Sequence, residues 1–147
     1  MGPPNQYEII LPTDVLFDFD KDELRPDSAP LLAKLQAHFE THDADQLHVK
    51  GHTDAKGDEA YNLKLSQRRA LAVCKWLKSN TDEDFTNCIG LGEGEPVVSN
   101  TRPDGADDPV GRQRNRRVEI AVIAYPDVNA MLDRAKRQAD AAKANLP

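Results

Sequence analysis

The chain has 147 residues, enough for a single domain with a real core. Apolar residues make up 39% and charged residues 30%, an ordinary globular balance, and no apolar run approaches the ~20 residues that span a membrane. A net charge of −6 argues against a general nucleic-acid surface; the basic run at Arg112, Arg114, Arg116 and Arg117 lacks interleaved aromatics and reads as structural or as a local anion site.

Met1-Gly2-Pro3-Pro4 has neither the basic start nor the apolar middle of a secretory signal, so residues 1–6 read as a disordered or cloning-derived leader. Tyr7 to Ile10 and Val15 to Phe19 are β-rich and interrupted by Pro12, which predicts one broken or bulged edge strand. Asp18, Asp20 and Asp22 suggest calcium, but Glu23 stands where an EF-hand needs glycine and Ala29 where it needs glutamate. The run is therefore read as a turn. Leu24 to Phe39 forms the first expected helix, with Leu31, Leu32, Leu35 and Phe39 as its apolar stripe and Pro26 or Pro30 in its first turn. Gln46 to Thr53 is the second strand. His48 and His52 share a strand face but lie roughly 13 Å apart at the usual rise, too far for one ion. They are expected on the open, wet side of the sheet, and no metal site is expected.

Past that strand comes Asp54, then the polar turn at Gly57 and Asp58, then a long helix from Tyr61 to Asn80. Leu63, Ser66, Ala70, Val73 and Leu77 recur at helical spacing and are expected to face the core. Leu65 and Arg69 lie four apart on a stripe beside it, and Trp76 is placed at the edge. A carboxylate at a strand end and a guanidinium on the following helix can face one crevice, where sheet-plus-helix folds often bind ligands. Thr86 to Leu91 is the third strand. Cys74 and Cys88 allow one bridge pinning helix to strand in an oxidising compartment, or two buried thiols, and spacing alone leaves both open. Gly90, Gly92 and Gly94 resemble a phosphate loop only superficially, because Glu95 replaces the last glycine.

Pro96 to Asp108 reads as a surface loop and Gly111 to Arg116 as a short turn. In Arg117 to Tyr125, Val118, Ile120 and Val122 alternate with Arg117, Glu119 and Ala121, the pattern of an antiparallel strand with one wet face. Asp127 to Leu146 is alanine-rich and helical in propensity, with only a weak apolar stripe. The fold class is thus α+β, a βαβαβ-β arrangement of a mixed sheet with helices packed on one face, plus an extra C-terminal helix. The boundaries are a leader at 1–6, a domain at 7–125 and a helical extension at 126–147.

Several separated motifs resemble one family. T-D-x-x-G at Thr53, Asp54 and Gly57 is followed by Y-N-x-x-L-S-x-x-R-A at Tyr61, Asn62, Leu65, Ser66, Arg69 and Ala70. F-D-F-D-K at Phe17 to Lys21, G-x-G-E-x-x-P at Gly90 to Pro96, Ser99-Asn100-Thr101 and G-R-x-x-N-R-R-V-E at Gly111 to Glu119 complete the set. In this order they are similar to the OmpA-like peptidoglycan-binding domain, found in OmpA, Pal and MotB proteins.

The resemblance implies a non-catalytic periplasmic domain that anchors an envelope protein to the cell wall, with no cofactor. It implies that Asp54 takes the ammonium, and Arg69 the carboxylate, at the side-chain end of meso-diaminopimelate in a peptidoglycan stem peptide. Asn62, Leu65 and Thr53 would flank the ligand, and Phe19, Asp20 and Lys21 would form a wall. Asn115 and Arg116 are supporting residues. Membrane attachment would come only from a region upstream. An alternative is a module that holds an envelope protein through the open sheet face or the C-terminal helix. Hydrolysis is disfavoured: Cys74 lies mid-helix, and no histidine has a reason to sit beside it.

Overall fold

The computed structural model describes residues 5–83, 86–125, 132, 135–137, 139 and 140. Four strands form one sheet in the order β1-β4-β2-β3, where β1 is Asn5–Pro12, β2 Gln46–His52, β3 Thr86–Gly92 and β4 Arg117–Ala124. β4 runs antiparallel to both β1 and β2, while β3 runs parallel to β2. A mixed sheet follows because a helix joins β2 to β3 and carries the chain back to the starting end. One row crosses all four strands: Ile9, Ile120, Val49 and Cys88 lie side by side.

The helices are α1 (Thr13–Leu16), α2 (Ala29–Thr41), α3 (Glu59–Asn80) and α4 (Pro109–Asn115), with a 3-10 turn at Pro26–Ser28. Leu32, Leu35 and Phe39 of α2 and Ala70, Val73 and Leu77 of α3 bury against Leu11, Leu47, Val49, Val118, Ile120 and Val122 of the sheet. Each large apolar side chain removed from water contributes about 1.5–3 kcal/mol, so this layer holds the domain together. Asp58 starts α3 by accepting the Tyr61 N–H at 3.1 Å, and Asp108 starts α4 by accepting that of Gly111 at 3.1 Å.

α3 lies hard against β2 and β3. A Cβ on Gly90 would collide with the Gln67 backbone, and one on Gly51 with the Ser66 carbonyl, so the approach requires glycine at both positions. Cys74 and Cys88 are disulfide-bonded, fixing the same contact covalently. The Gln67 side chain also serves the outer edge of β3: its oxygen accepts the Gly90 N–H at 2.6 Å and its nitrogen donates to the Cys88 carbonyl at 3.3 Å.

Several expectations are corrected. The first strand starts at Asn5, two residues before the expected domain boundary, and Val15 to Leu16 are helical rather than extended. Pro12 ends the strand, and α1 turns Leu16 into the core, where it is fully buried. Regular α-helix begins at Ala29, not Leu24; Leu24 instead bridges to Phe17, and Pro26 opens the 3-10 turn. Leu63 is half exposed, because the buried stripe of α3 starts at Asn62, Leu65 and Ser66.

His52 is not solvent-facing: it is 2% exposed, and Arg117 is buried too. A register shift at Gly51/His52 breaks the period-two pattern, and the loop after β3 closes over this end, with the Glu95 carbonyl accepting from Arg117. Of the expected C-terminal extension, residues 132, 135–137, 139 and 140 are helical and exposed, and the rest lies outside the described residues.

Candidate functional site

A cleft of about 650 Å³ opens at the end of β2. Of the expected residues, Phe19, Asp20, Thr53, Asp54, Asn62, Leu65, Arg69 and Arg116 all line it. Lys21 does not; its side chain is exposed, and its carbonyl instead accepts from Arg69 Nε at 2.8 Å. Asn115 does not either. It is fully buried, accepting the N–H groups of Val97 and Val98 at 2.9 and 3.1 Å and donating to the Val98 carbonyl and Asn100 Oδ1. Asn100 Oδ1 in turn accepts the Ala55 N–H at 3.3 Å, so Asn115 steadies the turn that carries Asp54.

The two principal residues share the cleft without pairing with each other. Asp54 Oδ2 lies 2.7 Å from Arg116 Nη1 and 3.5 Å from Arg112 Nη1, while Oδ1 accepts the Lys56 N–H at 3.0 Å. Arg116 turns its other donors to Asp14, with Nε and Nη2 at 3.1 and 3.0 Å from its two carboxylate oxygens. The Asp14 and Asp54 bonds together hold the Arg116 pKa above the usual arginine value, against the opposing effect of burial.

Arg69 is built differently. It is 7% exposed and packs over the Phe17 ring at 5.3 Å, a cation–π contact. Its only hydrogen bonds among the described residues go to carbonyls, those of Lys21 at 2.8 Å and Asp18 at 3.2 Å, and none of the described carboxylates is within ion-pair distance. Burial pulls its pKa below the usual value, offset in part by Asp14, Asp20 and Asp22. A guanidinium never loses its proton in such a setting. The side chain thus stays charged, fixed and unneutralised.

Asn62 donates to the Lys56 carbonyl at 3.0 Å, locking the turn between Asp54 and α3. Phe19 stands 96% exposed at the rim, and Asp20 beside it has a φ of 63°, the left-handed region that side chains other than glycine seldom adopt. Four carboxylates (Asp14, Asp18, Asp20, Asp54) and four cations (Arg25, Lys56, Arg69, Arg116) line the cleft, four minus four giving zero. A neutral cleft with separated charges suits a zwitterionic group better than a simple ion.

Asp14, Lys56 and Tyr61 in the lining, and Arg112 beside Asp54, were not among the expected site residues. Only tertiary placement brings Asp14 there, since α1 folds back against the start of β4 through a Thr13 N–H to Arg116 carbonyl bond of 3.1 Å. No cluster of three or more metal-ligating side chains occurs among the described residues, nor any helix long and apolar enough to cross a membrane. A larger groove of about 980 Å³ runs beside the disulfide, lined by Leu71, Lys75 and Trp76 among others, away from these charges.

Comparison with known proteins places the geometry in context. The OmpA family matches residues 16–109. Part of the photosystem I P700 chlorophyll a apoprotein A2 of Gloeobacter violaceus is 39% identical over 120 residues, covering 81% of this chain and 14% of that protein. Outer membrane protein A of Bordetella avium is 36% identical over 121 residues, covering 82% of this chain and 59% of that protein. The chain therefore spans less than two thirds of the length of either. Among solved structures, the cell wall anchor of the T6SS from Pseudomonas aeruginosa superposes with a TM-score of 0.67 at 30% identity, covering 82% of both chains.

Proposed function

This chain belongs to the OmpA family, and from that premise we propose that its cleft binds peptidoglycan non-covalently, through the diaminopimelate of the stem peptide. One observation carries the reading: Arg69 is buried, fixed by carbonyls and left without a carboxylate, in the same cleft as the anion Asp54. The side-chain end of meso-diaminopimelate bears an ammonium and a carboxylate on one carbon. The ligand carboxylate completes Arg69, whose planar fork matches it with paired bonds. The ligand ammonium donates to Asp54, which as a carboxylate only accepts. Leu65 and Phe19 supply apolar surface for the methylene chain between, and Thr53 and Asn62 border it.

Such charge-assisted bonds contribute about 1.5–3 kcal/mol each, so the two together give a modest affinity. A wall with many identical sites compensates through effective concentration once the protein is tethered. The domain is then a non-catalytic periplasmic anchor. Support comes from the similarity to a protein described as a cell wall anchor and to one described as an outer membrane protein. The test is retention on purified peptidoglycan. Wild type is expected in the pellet, and Asp54→Ala and Arg69→Ala in the supernatant. Equal retention of all three would reject the reading.

A further inference from the structure

The acidic end of the cleft already holds a cation of the protein itself. Asp54 accepts from Arg116 Nη1 at 2.7 Å and from the Lys56 N–H at 3.0 Å. A guanidinium has a stronger option, the parallel two-bond grip on one carboxylate. Were Arg116 to take that grip on Asp54, a second donor of the same guanidinium would join the bonds already on its two oxygens, and an incoming ammonium would find no acceptor position left. Arg116 makes the grip elsewhere. Nε and Nη2 close on Asp14 at 3.1 and 3.0 Å, and Nη1 alone is left for Asp54.

We propose that Asp14 is a positioning residue of the binding cleft: by holding the paired donors of Arg116, it keeps Asp54 open to the ammonium of a ligand. This rests on the ammonium-binding reading of Asp54 given above. A carboxylate has about four acceptor positions. With Asp14 in place, Asp54 holds three donors, Arg116 Nη1 at 2.7 Å, the Lys56 N–H at 3.0 Å and Arg112 Nη1 at 3.5 Å, which leaves a position that a second Arg116 donor would fill. The side chain of Asp14 is 46% exposed and that of Asp54 11%, so Asp14 is the better solvated carboxylate and carries the shared cation at lower cost. It stands on α1, outside the core, where its replacement leaves apolar packing intact.

The role predicts a dependence on Arg116 that a residue acting independently of it would not show. Asp14→Asn removes the grip, Arg116 moves onto Asp54, and ligand binding weakens. In an Arg116→Gln background the same replacement has nothing to release. Binding would be followed by NMR titration with Nα-acetyl-meso-diaminopimelate α-amide, and with Nα-acetyl-lysine amide, which lacks only the side-chain carboxylate.

Asp14→Asn is expected to weaken the diaminopimelate compound about fivefold in the wild-type background and less than about twofold in the Arg116→Gln background. Arg116→Lys, which keeps the charge but gives up the fork, serves as a second background should Arg116→Gln not fold. Wild type that binds neither compound, or both equally, overturns the diaminopimelate reading and this role with it. Wild type that prefers the diaminopimelate compound, combined with no loss in Asp14→Asn or with the same loss in both backgrounds, overturns the role of Asp14 alone.

Discussion

Arg116 and Arg117 are consecutive residues that serve two charged clusters at one end of the sheet. Arg116 joins Asp14 and Asp54 in the cleft, with its side chain 27% exposed. Arg117, 6% exposed, bonds Glu119 at 2.6 Å and the carbonyls of Asn115 and Glu95 at 3.1 and 2.9 Å. Beside it His52 Nε2 lies 3.4 Å from Glu119 Oε2, with neither ring nitrogen hydrogen-bonded. The two clusters use the same chemistry. In the inner one each charge has its partner within the protein and the side chains of His52, Arg117 and Glu119 are 0%, 6% and 12% exposed. In the outer one Arg69 lines an open cleft and has no carboxylate at ion-pair distance among the described residues. On the proposed reading, what separates a structural ion pair from a binding site is access and an unpaired charge, not residue type.

The comparison can be broken most severely from the inside. Arg117→Ala takes from Glu119, whose side chain is 12% exposed, its 2.6 Å partner and leaves only His52 at 3.4 Å, and removing one member of a largely buried pair costs about 3–5 kcal/mol. Urea unfolding should show a loss of that size, and a change below about 1 kcal/mol would mean the cluster is not closed. On the open side, Arg69→Lys keeps the charge but cannot hold two carbonyls and grip a carboxylate at once. Peptidoglycan affinity should fall about tenfold, equivalent to 1.4 kcal/mol, with the melting temperature nearly unchanged. An unchanged affinity would show that charge alone suffices.

The smallest effect concerns His52. Burial holds its pKa below the ordinary 6.5, Arg117 pushes the same way, and Glu119 and Glu95 oppose. The unfolded chain therefore takes up a proton first as pH falls, so stability present above pH 6.5 is lost as pH drops through the folded-state pKa. Melting temperature should decline between pH 7 and pH 5, and His52→Gln should flatten that decline. Identical slopes would remove His52 from the account.

Much of the fold was legible because its signals are local. The alternation in Leu47 to Lys50 and in Val118 to Val122, and the helical recurrence of Ala70, Val73 and Leu77, hold in the structure. Local signals failed where tertiary contacts decide. His52 was placed on a wet face because alternation cannot foresee a register shift or a loop folding over it. Val15 and Leu16 have strand-forming composition, yet past Pro12 the chain turns into α1, which buries Leu16 and leaves Val15 exposed. In the site, the motif residues just past β2 and on α3 were legible, whereas Asp14 was not: nothing between positions 14 and 116 signals that they meet. Asp54 and Arg69 line the same cleft, yet neither bonds the other: each has its own set of partners.

A domain that crowds along a repetitive polymer risks zipping onto its neighbours through any free strand. β3 is such a border, and the amide of Gln67 sits on it as a dummy strand, already engaging Gly90 and Cys88. Copies that met along this border would thus have to displace Gln67 before they could fuse through it.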